Sequence, residues 1–239
     1  MVPFDRESEA GLRIISILER LHPIAPNFVY QVLNCKNNTV CDDEQFMSVY
    51  WPLIREARML LTTREAFNLY WYILKALKAD GDIAELGVYR GGSAKLLSSY
   101  KKHRTLHLFD TFGGMPDVNA SIDLHKRGDF CDTSADSVTK YLAGFPNVIL
   151  HPGFFPDSTK DLAADTRFCF VHLDVDIYES TLAGLNFFYP RLNAGGYLLS
   201  HDYSSISCPG VKKAFDEFFV DKPEEVIRLW DTQCVLRKL

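Results

Sequence analysis

Residues 82–93 read DIAELGVYRGGS, a short apolar strand pattern that runs through a glycine-rich turn into a helix. The remainder of the chain repeats this order. Strands are predicted at 82–86, 104–109, 148–151, 168–173 and 197–200, and helices at 92–102, 134–142, 159–164, 179–189 and 211–219. Such an alternation predicts an α/β fold, in which helices cover both faces of a parallel sheet.

The end of the chain departs from this pattern. Two short strands, predicted at 226–230 and 234–237, are separated by only three residues, 231–233. Strands joined so closely must be antiparallel. A mostly parallel seven-stranded sheet with an antiparallel edge hairpin is the usual layout of Rossmann-like class I methyltransferases, and we expect that fold over residues 81–239.

The first 80 residues are mostly helical by pattern. Apolar side chains recur at helical spacing over 9–21 and again over 64–79. Residues 30–51 between them lack a clear period, which suits a loop or lid over a site as much as a structural arm, and Tyr50 and Trp51 are candidates for a pocket wall. We therefore predict that residues 1–80 form an N-terminal helical lid or a dimer contact. In the second case the protein would be a homo-oligomer.

Composition excludes several classes of partner. The 239 residues carry 26 basic and 31 acidic side chains, a formal net charge of −5, so no positive field favours nucleic acid. No apolar run reaches the roughly 18 residues of a membrane helix, and the acidic start does not resemble a signal peptide. We expect a cytoplasmic protein. Its six cysteines lack zinc-site spacing and are predicted to be free thiols.

In doubly wound sheets the ligand binds beyond the carboxyl ends of the strands. The first strand ends at Glu85, and its loop contains Gly87 and Gly91 but no GxGxxG motif. Glu85 would repel the pyrophosphate of a dinucleotide, whereas a sulfonium cofactor with a cationic amino group would favour it. A glycine-rich turn can also be a simple tight turn.

Asp110 ends the second strand, 25 positions after Glu85. A carboxylate at about this spacing binds a ribose diol in this architecture. The alternative is a helix cap or a turn residue, for which Asp is also favoured. Because nicotinamide cofactors and S-adenosylmethionine both contain a ribose diol, Asp110 does not distinguish between them.

The fourth and fifth strands end at Asp174 and at His201-Asp202. Neighbouring strand ends could bring these three side chains together on a divalent cation. Oxygen ligands favour Mg²⁺, and the imidazole shifts the preference towards softer ions such as Mn²⁺ or Zn²⁺. The alternative is that Asp174 caps the next helix and that His201 is an incidental loop residue.

Several motifs in sequence order resemble the macrocin O-methyltransferase (TylF) family. They are ELGVYRGG at 85–92, FDTFGGMP at 109–116, GDF at 128–130, DVDIYEST at 174–181, YPRLNAGGY at 189–197, HDY at 201–203 and PGVKKAFDEF at 209–218. The resemblance covers about residues 80–239. It implies an enzyme that uses S-adenosylmethionine and Mg²⁺ to methylate a hydroxyl of a sugar or another part of a secondary metabolite.

The resemblance also implies residue roles. The methionine end of the cofactor would be bound by Glu85, Gly87 and Ser93. The ribose would be bound by Asp110 and the adenine by Asp129. Tyr89 and Gly91 of the glycine loop, together with Asp174, complete the predicted cofactor site.

The same resemblance makes Asp174 and Asp202 metal ligands and Asp176 a general base. His201 stands where the family usually has another aspartate, and Val175 where it usually has glycine. We predict His201 as the third metal ligand and, beside Asp176, as a second candidate to take the acceptor proton.

Two other functions compete with an O-methyltransferase acting on a small hydroxylated molecule. His201 makes a non-catalytic, methyltransferase-like binding protein conceivable. A nicotinamide oxidoreductase is disfavoured by Glu85 and by the missing GxGxxG motif.

Overall fold

The computed structural model describes residues 42–239. The predicted helix at 9–21, the first part of the predicted loop at 30–51, and Cys35 and Cys41 lie outside the described residues. Within the described part, Cys131, Cys169, Cys208 and Cys234 are free thiols, as predicted. No helix in this part of the chain is both long and apolar enough to cross a membrane.

Seven strands form one sheet in the order β3-β2-β1-β4-β5-β7-β6. They are β1 (Asp82–Leu86), β2 (Leu106–Asp110), β3 (Val148–Pro152), β4 (Phe168–Leu173), β5 (Leu192–Ser200), β6 (Ile227–Arg228) and β7 (Cys234–Arg237). The pairs among β1 to β5 are parallel, whereas β7 is antiparallel to both β5 and β6. The predicted fold class, including the antiparallel edge, is confirmed.

Six α-helices accompany the sheet in the described part. They are α1 (Glu44–Arg55), α2 (Thr63–Ala76), α3 (Gly92–Tyr100), α4 (Ala135–Leu142), α5 (Tyr178–Phe188) and α6 (Pro209–Phe218). The predicted helix at 159–164 is wrong, because only a 3₁₀ turn at Asp157–Thr159 forms there. A six-residue segment gains too few hydrogen bonds to offset the cost of helix nucleation.

The predicted loop is also wrong over 44–51, which belongs to α1. Asp43 caps this helix by accepting a hydrogen bond from the Phe46 backbone N–H. The buried residues of α1 follow the helical period: Phe46, Met47, Tyr50, Leu53 and Ile54. Tyr50 is fully buried and stacks on Phe46, with ring centroids 5.0 Å apart, so its predicted place in a pocket wall is wrong.

Helices α1 and α2 share one hydrophobic core with α3 and the adjacent face of the sheet. Ile73 of α2, Leu97 of α3 and Phe170 of β4 are all fully buried in this core. Helices α1 and α2 are therefore integrated with the sheet, and the division of the chain at residue 80 stays a prediction.

Candidate active site

A cavity of about 710 Å³ opens at the carboxyl ends of β1, β2, β4 and β5. Its volume lies within the range of pockets that hold drug-sized ligands. The strand order reverses between β1 and β4, which is the switch point where open α/β sheets bind their ligands. The walls come from the ends of these strands, from the segment 58–62, and from 114–116, 204–208 and 228–232.

Gly87 fixes how closely two strand ends approach. Its φ of 89° lies in the left-handed region, and a Cβ there would sit 1.7 Å from the Asp174 backbone oxygen. Backbone hydrogen bonds join the Asp174 N–H to Leu86 O at 2.8 Å and the Gly87 N–H to Phe109 O at 2.9 Å. The glycine loop and Asp174 thus meet at one rigid corner of the cavity.

Asp110 lies at the end of β2 and lines the cavity. Its Oδ2 accepts hydrogen bonds from the Val88 and Tyr89 N–H groups at 2.7 and 2.8 Å, and its Oδ1 accepts one from the Phe112 N–H at 2.7 Å. These bonds hold the glycine loop in place. Because a carboxylate offers about four lone-pair positions, capacity remains for a donor in the cavity.

Glu85 is fully buried and lies beneath the cavity rather than among its lining residues. Its Oε1 is 2.9 Å from Nδ1 of His172, the residue opposite it on β4. Burial raises the pKa of Glu85 despite the opposing effect of His172. Its contact with the methionine end stays a prediction, and the geometry shows Glu85 as a link between the two strands and as a hydrogen-bond partner of Ser93.

The other predicted cofactor residues occupy different positions. Ser93 and Tyr89 line the cavity, and the Tyr89 hydroxyl donates to Asp132 at 2.7 Å. Gly91 is the N-cap of α3, with a φ of 83°, and is not a lining residue. Asp129 also lies outside the lining, where its carboxylate accepts from the Lys126 N–H at 2.9 Å and lies 3.2 Å from Nδ1 of His125.

The structure brings the three predicted metal ligands together. His201 Nδ1 is 2.6 Å from Asp202 Oδ2 and 3.2 Å from Asp174 Oδ1. A backbone hydrogen bond from the His201 N–H to Leu173 O, at 2.8 Å, joins the ends of β4 and β5. Burial opposes the charge of His201, but the surrounding carboxylates hold its pKa well above the usual range.

Asp176 lines the same end of the cavity and has a φ of 59°. Burial and the nearby carboxylates of Asp202 and Asp174 raise its pKa well above the usual range for aspartate. The pKa of Asp174 is lowered instead, because the charge and hydrogen bond of His201 outweigh its burial. Three aspartates and one histidine therefore form a strongly coupled acidic cluster at this end.

A sequence profile of the macrocin O-methyltransferase (TylF) family matches residues 48–237. This chain belongs to the TylF family. The match includes every predicted site residue, as well as helix α2 and most of α1, where the resemblance in the sequence was weak.

Curated relatives of this chain are named as O-methyltransferases. Demethyldecarbamoylnovobiocin O-methyltransferase of Streptomyces niveus is 32% identical to this chain, and the alignment covers 58% of each protein. The chain thus spans less than two thirds of that relative. Mycinamicin III 3″-O-methyltransferase of Micromonospora griseorubida is 29% identical, with 64% of this chain and 67% of the relative aligned.

Solved structures agree with this assignment. The O-methyltransferase NovP superimposes with a TM-score of 0.68 at 26% identity, covering 76% of this chain and 82% of NovP. The calicheamicin methyltransferase CalS11 has a TM-score of 0.67 at 17% identity and covers 98% of this chain and 95% of its own. At that identity the second comparison shows the fold alone.

The acidic cluster of this TylF-family chain fits a divalent cation. Two ligand atoms bound at right angles to an ion about 2.1 Å away lie about 3 Å apart. The separations of 2.6 and 3.2 Å from His201 Nδ1 to Asp202 and Asp174 bracket that distance. The other ring nitrogen, Nε2, lies 3.3 Å from Glu65 Oε1 and makes no hydrogen bond to the described residues.

Glu65 was not predicted as a site residue. It belongs to the capping box of α2, in which its Oε2 accepts from the Thr62 N–H at 2.9 Å. Its Oε1 accepts from the Thr232 hydroxyl at 2.7 Å and faces His201. Burial opposes ionisation, but His201 and these hydrogen bonds lower the pKa of Glu65 to about 2. The motif Thr62-x-x-Glu65 signals a helix start and gives no sign of this contact.

Proposed function

We propose that this chain is an S-adenosylmethionine-dependent O-methyltransferase that methylates a hydroxyl of a small molecule, either a sugar or another part of a secondary metabolite. The observation that carries the proposal is one cavity with a nucleotide-type end, formed by the Gly87 loop and Asp110, and an acidic end, formed by Asp174, Asp176, His201 and Asp202. The named activities of the TylF-family relatives support the type of acceptor.

The nucleotide-type end supplies the contacts that the cofactor needs. Gly87 lets the glycine loop pack against the end of β4, where a Cβ would collide with Asp174, and Asp110 retains acceptor capacity for a ribose hydroxyl. Tyr89 and Ser93 contribute to the wall on the same side. The segment 58–62 lines the same cavity beside the glycine loop, where Arg58 donates to Arg90 O at 3.0 Å, and this position supports a lid role for this part of the N-terminal region.

S-adenosylmethionine supplies a methyl group that is already activated as a sulfonium. The protein must therefore align the acceptor oxygen in line with the methyl carbon and the sulfur, and remove the hydroxyl proton. We assign the proton to the carboxylate of Asp176, which lines the acidic end of the cavity. His201 lies between Asp174 and Asp202 and holds both carboxylates in position.

Asp174, His201 and Asp202 would hold Mg²⁺ or a softer divalent cation. When bound, such an ion polarises the acceptor hydroxyl and lowers its pKa. The separations between the ligand atoms support this part of the proposal.

The test compares Asp176→Asn with the wild-type protein. S-adenosylhomocysteine should bind both proteins with similar heat in a calorimetric titration. Turnover on a panel of desmethyl glycosides should fall about 10²- to 10⁴-fold in the variant, the usual contribution of a general base. Asp216→Asn, which alters an exposed carboxylate of α6 outside the cavity, is the matched control and should retain turnover.

No binding heat with S-adenosylhomocysteine would refute the proposal. Binding without turnover on any acceptor, together with no metal in the purified protein by elemental analysis, would support the non-catalytic alternative instead.

A further inference from the structure

A second group of potential ligands lies beside the acidic cluster and is formed by His125, Asp176 and Cys208. One donor atom from each lies within 4.8 Å of the others. The Cys208 thiol is 3.5 Å from His125 Nε2 and 3.8 Å from Asp176 Oδ1. The three residues come from the 114–130 loop, the end of β4 and the start of α6, so packing of separate elements brings them together.

The separations match a tetrahedral metal site. Bond lengths of about 2.3 Å to sulfur and about 2.0–2.1 Å to nitrogen or oxygen place tetrahedral S–N and S–O pairs about 3.5 Å apart. The observed thiol–imidazole distance has this value, and the thiol–carboxylate distance exceeds it by 0.3 Å. A small rotation of one side chain removes that excess.

The residues around the three potential ligands also favour metal binding. His125 Nδ1 lies 3.2 Å from Asp129 Oδ2, and Asp129 is itself fixed by the Lys126 N–H. A carboxylate in this position orients a metal-binding histidine. Cys208 is the N-cap of α6, where the helix dipole favours a thiolate. All three ligands line the cavity, which leaves a fourth coordination position open.

A nucleophilic thiol is the main alternative for this triad. Cys208 is only 2% exposed, and burial and the carboxylates of Asp202 and Asp176 raise the pKa of its thiol. A protonated, buried thiol is a poor nucleophile, and here it donates a hydrogen bond to Asp176. A bound cation would reverse this preference, because a coordinating thiol is deprotonated.

We propose that His125, Asp176 and Cys208 form an open three-ligand site for a thiophilic divalent cation such as Zn²⁺. This site is distinct from the cluster of Asp174, His201 and Asp202, whose oxygen and nitrogen donors suit harder ions. An ion bound to Asp176 removes the base from the acceptor, so Zn²⁺ inhibits methyl transfer. This inhibition rests on the proposed function. Binding of the ion does not depend on that function.

The test uses Co²⁺ as a spectroscopic probe on the reduced, chelator-treated full chain. Wild-type protein should develop a near-ultraviolet sulfur-to-cobalt charge-transfer band whose intensity corresponds to one thiol-bound Co²⁺ per chain, whether or not the cluster of Asp174, His201 and Asp202 binds a further ion. Zn²⁺ should abolish the band by displacing the probe, and excess Mg²⁺ should leave it unchanged. Cys208→Ser should lose the band, and His125→Asn should weaken Co²⁺ binding at least about tenfold.

Cys131→Ser is the matched control, because Cys131 is an exposed free thiol outside the cluster, and it should retain the band. Thermal unfolding establishes that each variant is folded. The result does not depend on whether the protein methylates an acceptor, because the experiment measures only metal binding. Absence of the band in wild-type protein, or its persistence in Cys208→Ser, would overturn the proposal.

Discussion

Gly87 is the residue on which the geometry of the cavity depends most directly. It is the position where the end of β1 lies against the end of β4 without an intervening side chain. The contact sets the distance between the predicted cofactor loop and Asp174, which begins the acidic end. The absence of a side chain at Gly87 therefore sets the position of the two ends of the cavity relative to each other.

Gly87→Ala should lower the free energy of unfolding by at least about 2 kcal/mol, because it combines a strained positive φ with overpacking against backbone. The new Cβ would lie 1.7 Å from Asp174 O, and a backbone atom cannot rotate away. Denaturant unfolding measures the change. Gly144→Ala, where nothing lies within 4 Å of the added Cβ, should be nearly neutral, and equal losses in both variants would contradict this explanation.

Individual site residues were predictable from the sequence pattern where they lie at the end of a predicted strand. Asp110, Asp174 and His201-Asp202 each follow an apolar strand, and the parallel order places their ends at one edge. Glu65 and Cys208 carry no such signal. Glu65 reaches His201 from a helix far away in sequence, and Cys208 lies 83 positions from His125, so only tertiary packing reveals either contact.

Strands β2 and β3 contain a buried pair of histidines that serves no part of the proposed chemistry. His107 Nδ1 lies 2.9 Å from His151 Nε2, and His151 stacks on Phe109 with ring centroids 4.4 Å apart. Asp82 faces His107, and Asp161 is the acidic group that acts on His151. Burial and the neighbouring His107 lower the pKa of His151 to about 4.

This pair should make stability depend on pH. As the pH falls below 6.5, His151 takes up a proton in the unfolded chain first, and the folded protein follows only near pH 4. The native state therefore loses stability across this window, by on the order of 1–3 kcal/mol. His151→Gln retains a polar partner for His107 but cannot titrate there.

Chemical denaturation of both proteins at several pH values measures the effect. The advantage of the wild-type protein over His151→Gln should shrink as the pH falls from 6.5 to about 4. A constant difference across that range would show that the pair does not titrate with folding.

Helices and strands were predicted best where the hydrophobic period and the length of the segment indicated the same kind of element. All seven strands were located, and β4, whose six residues are all buried, has the continuous apolar run of a central parallel strand. The failures have local causes. The segment 30–51 mixes Asn, Cys, Asp and aromatic residues, which obscured the helical period of α1, and the segment after Asp157 was too short to propagate a helix.

At the scale of the whole molecule, the cavity draws on segments from nearly the full described length. Arg58 at one end of the sequence and Thr232 at the other line the same space, with the strand ends between them. Any ligand that fills it must contact elements that are distant in sequence. Ligand binding should consequently stabilise the fold as a unit and not one segment alone.

S-adenosylhomocysteine at about one hundred times its dissociation constant should therefore add about 2.7 kcal/mol of stability and raise Tm by about 5–10 °C. Differential scanning calorimetry measures this shift. Asp110→Asn should lose most of it at the same ligand concentration, because an amide cannot accept all three backbone N–H groups that Asp110 now binds. Asp216→Asn should keep the full shift, since its side chain lies outside the cavity. An unchanged Tm in the wild-type protein would mean that the ligand does not bind the folded protein. Equal shifts in both variants would mean that it binds somewhere other than between the glycine loop and the end of β2.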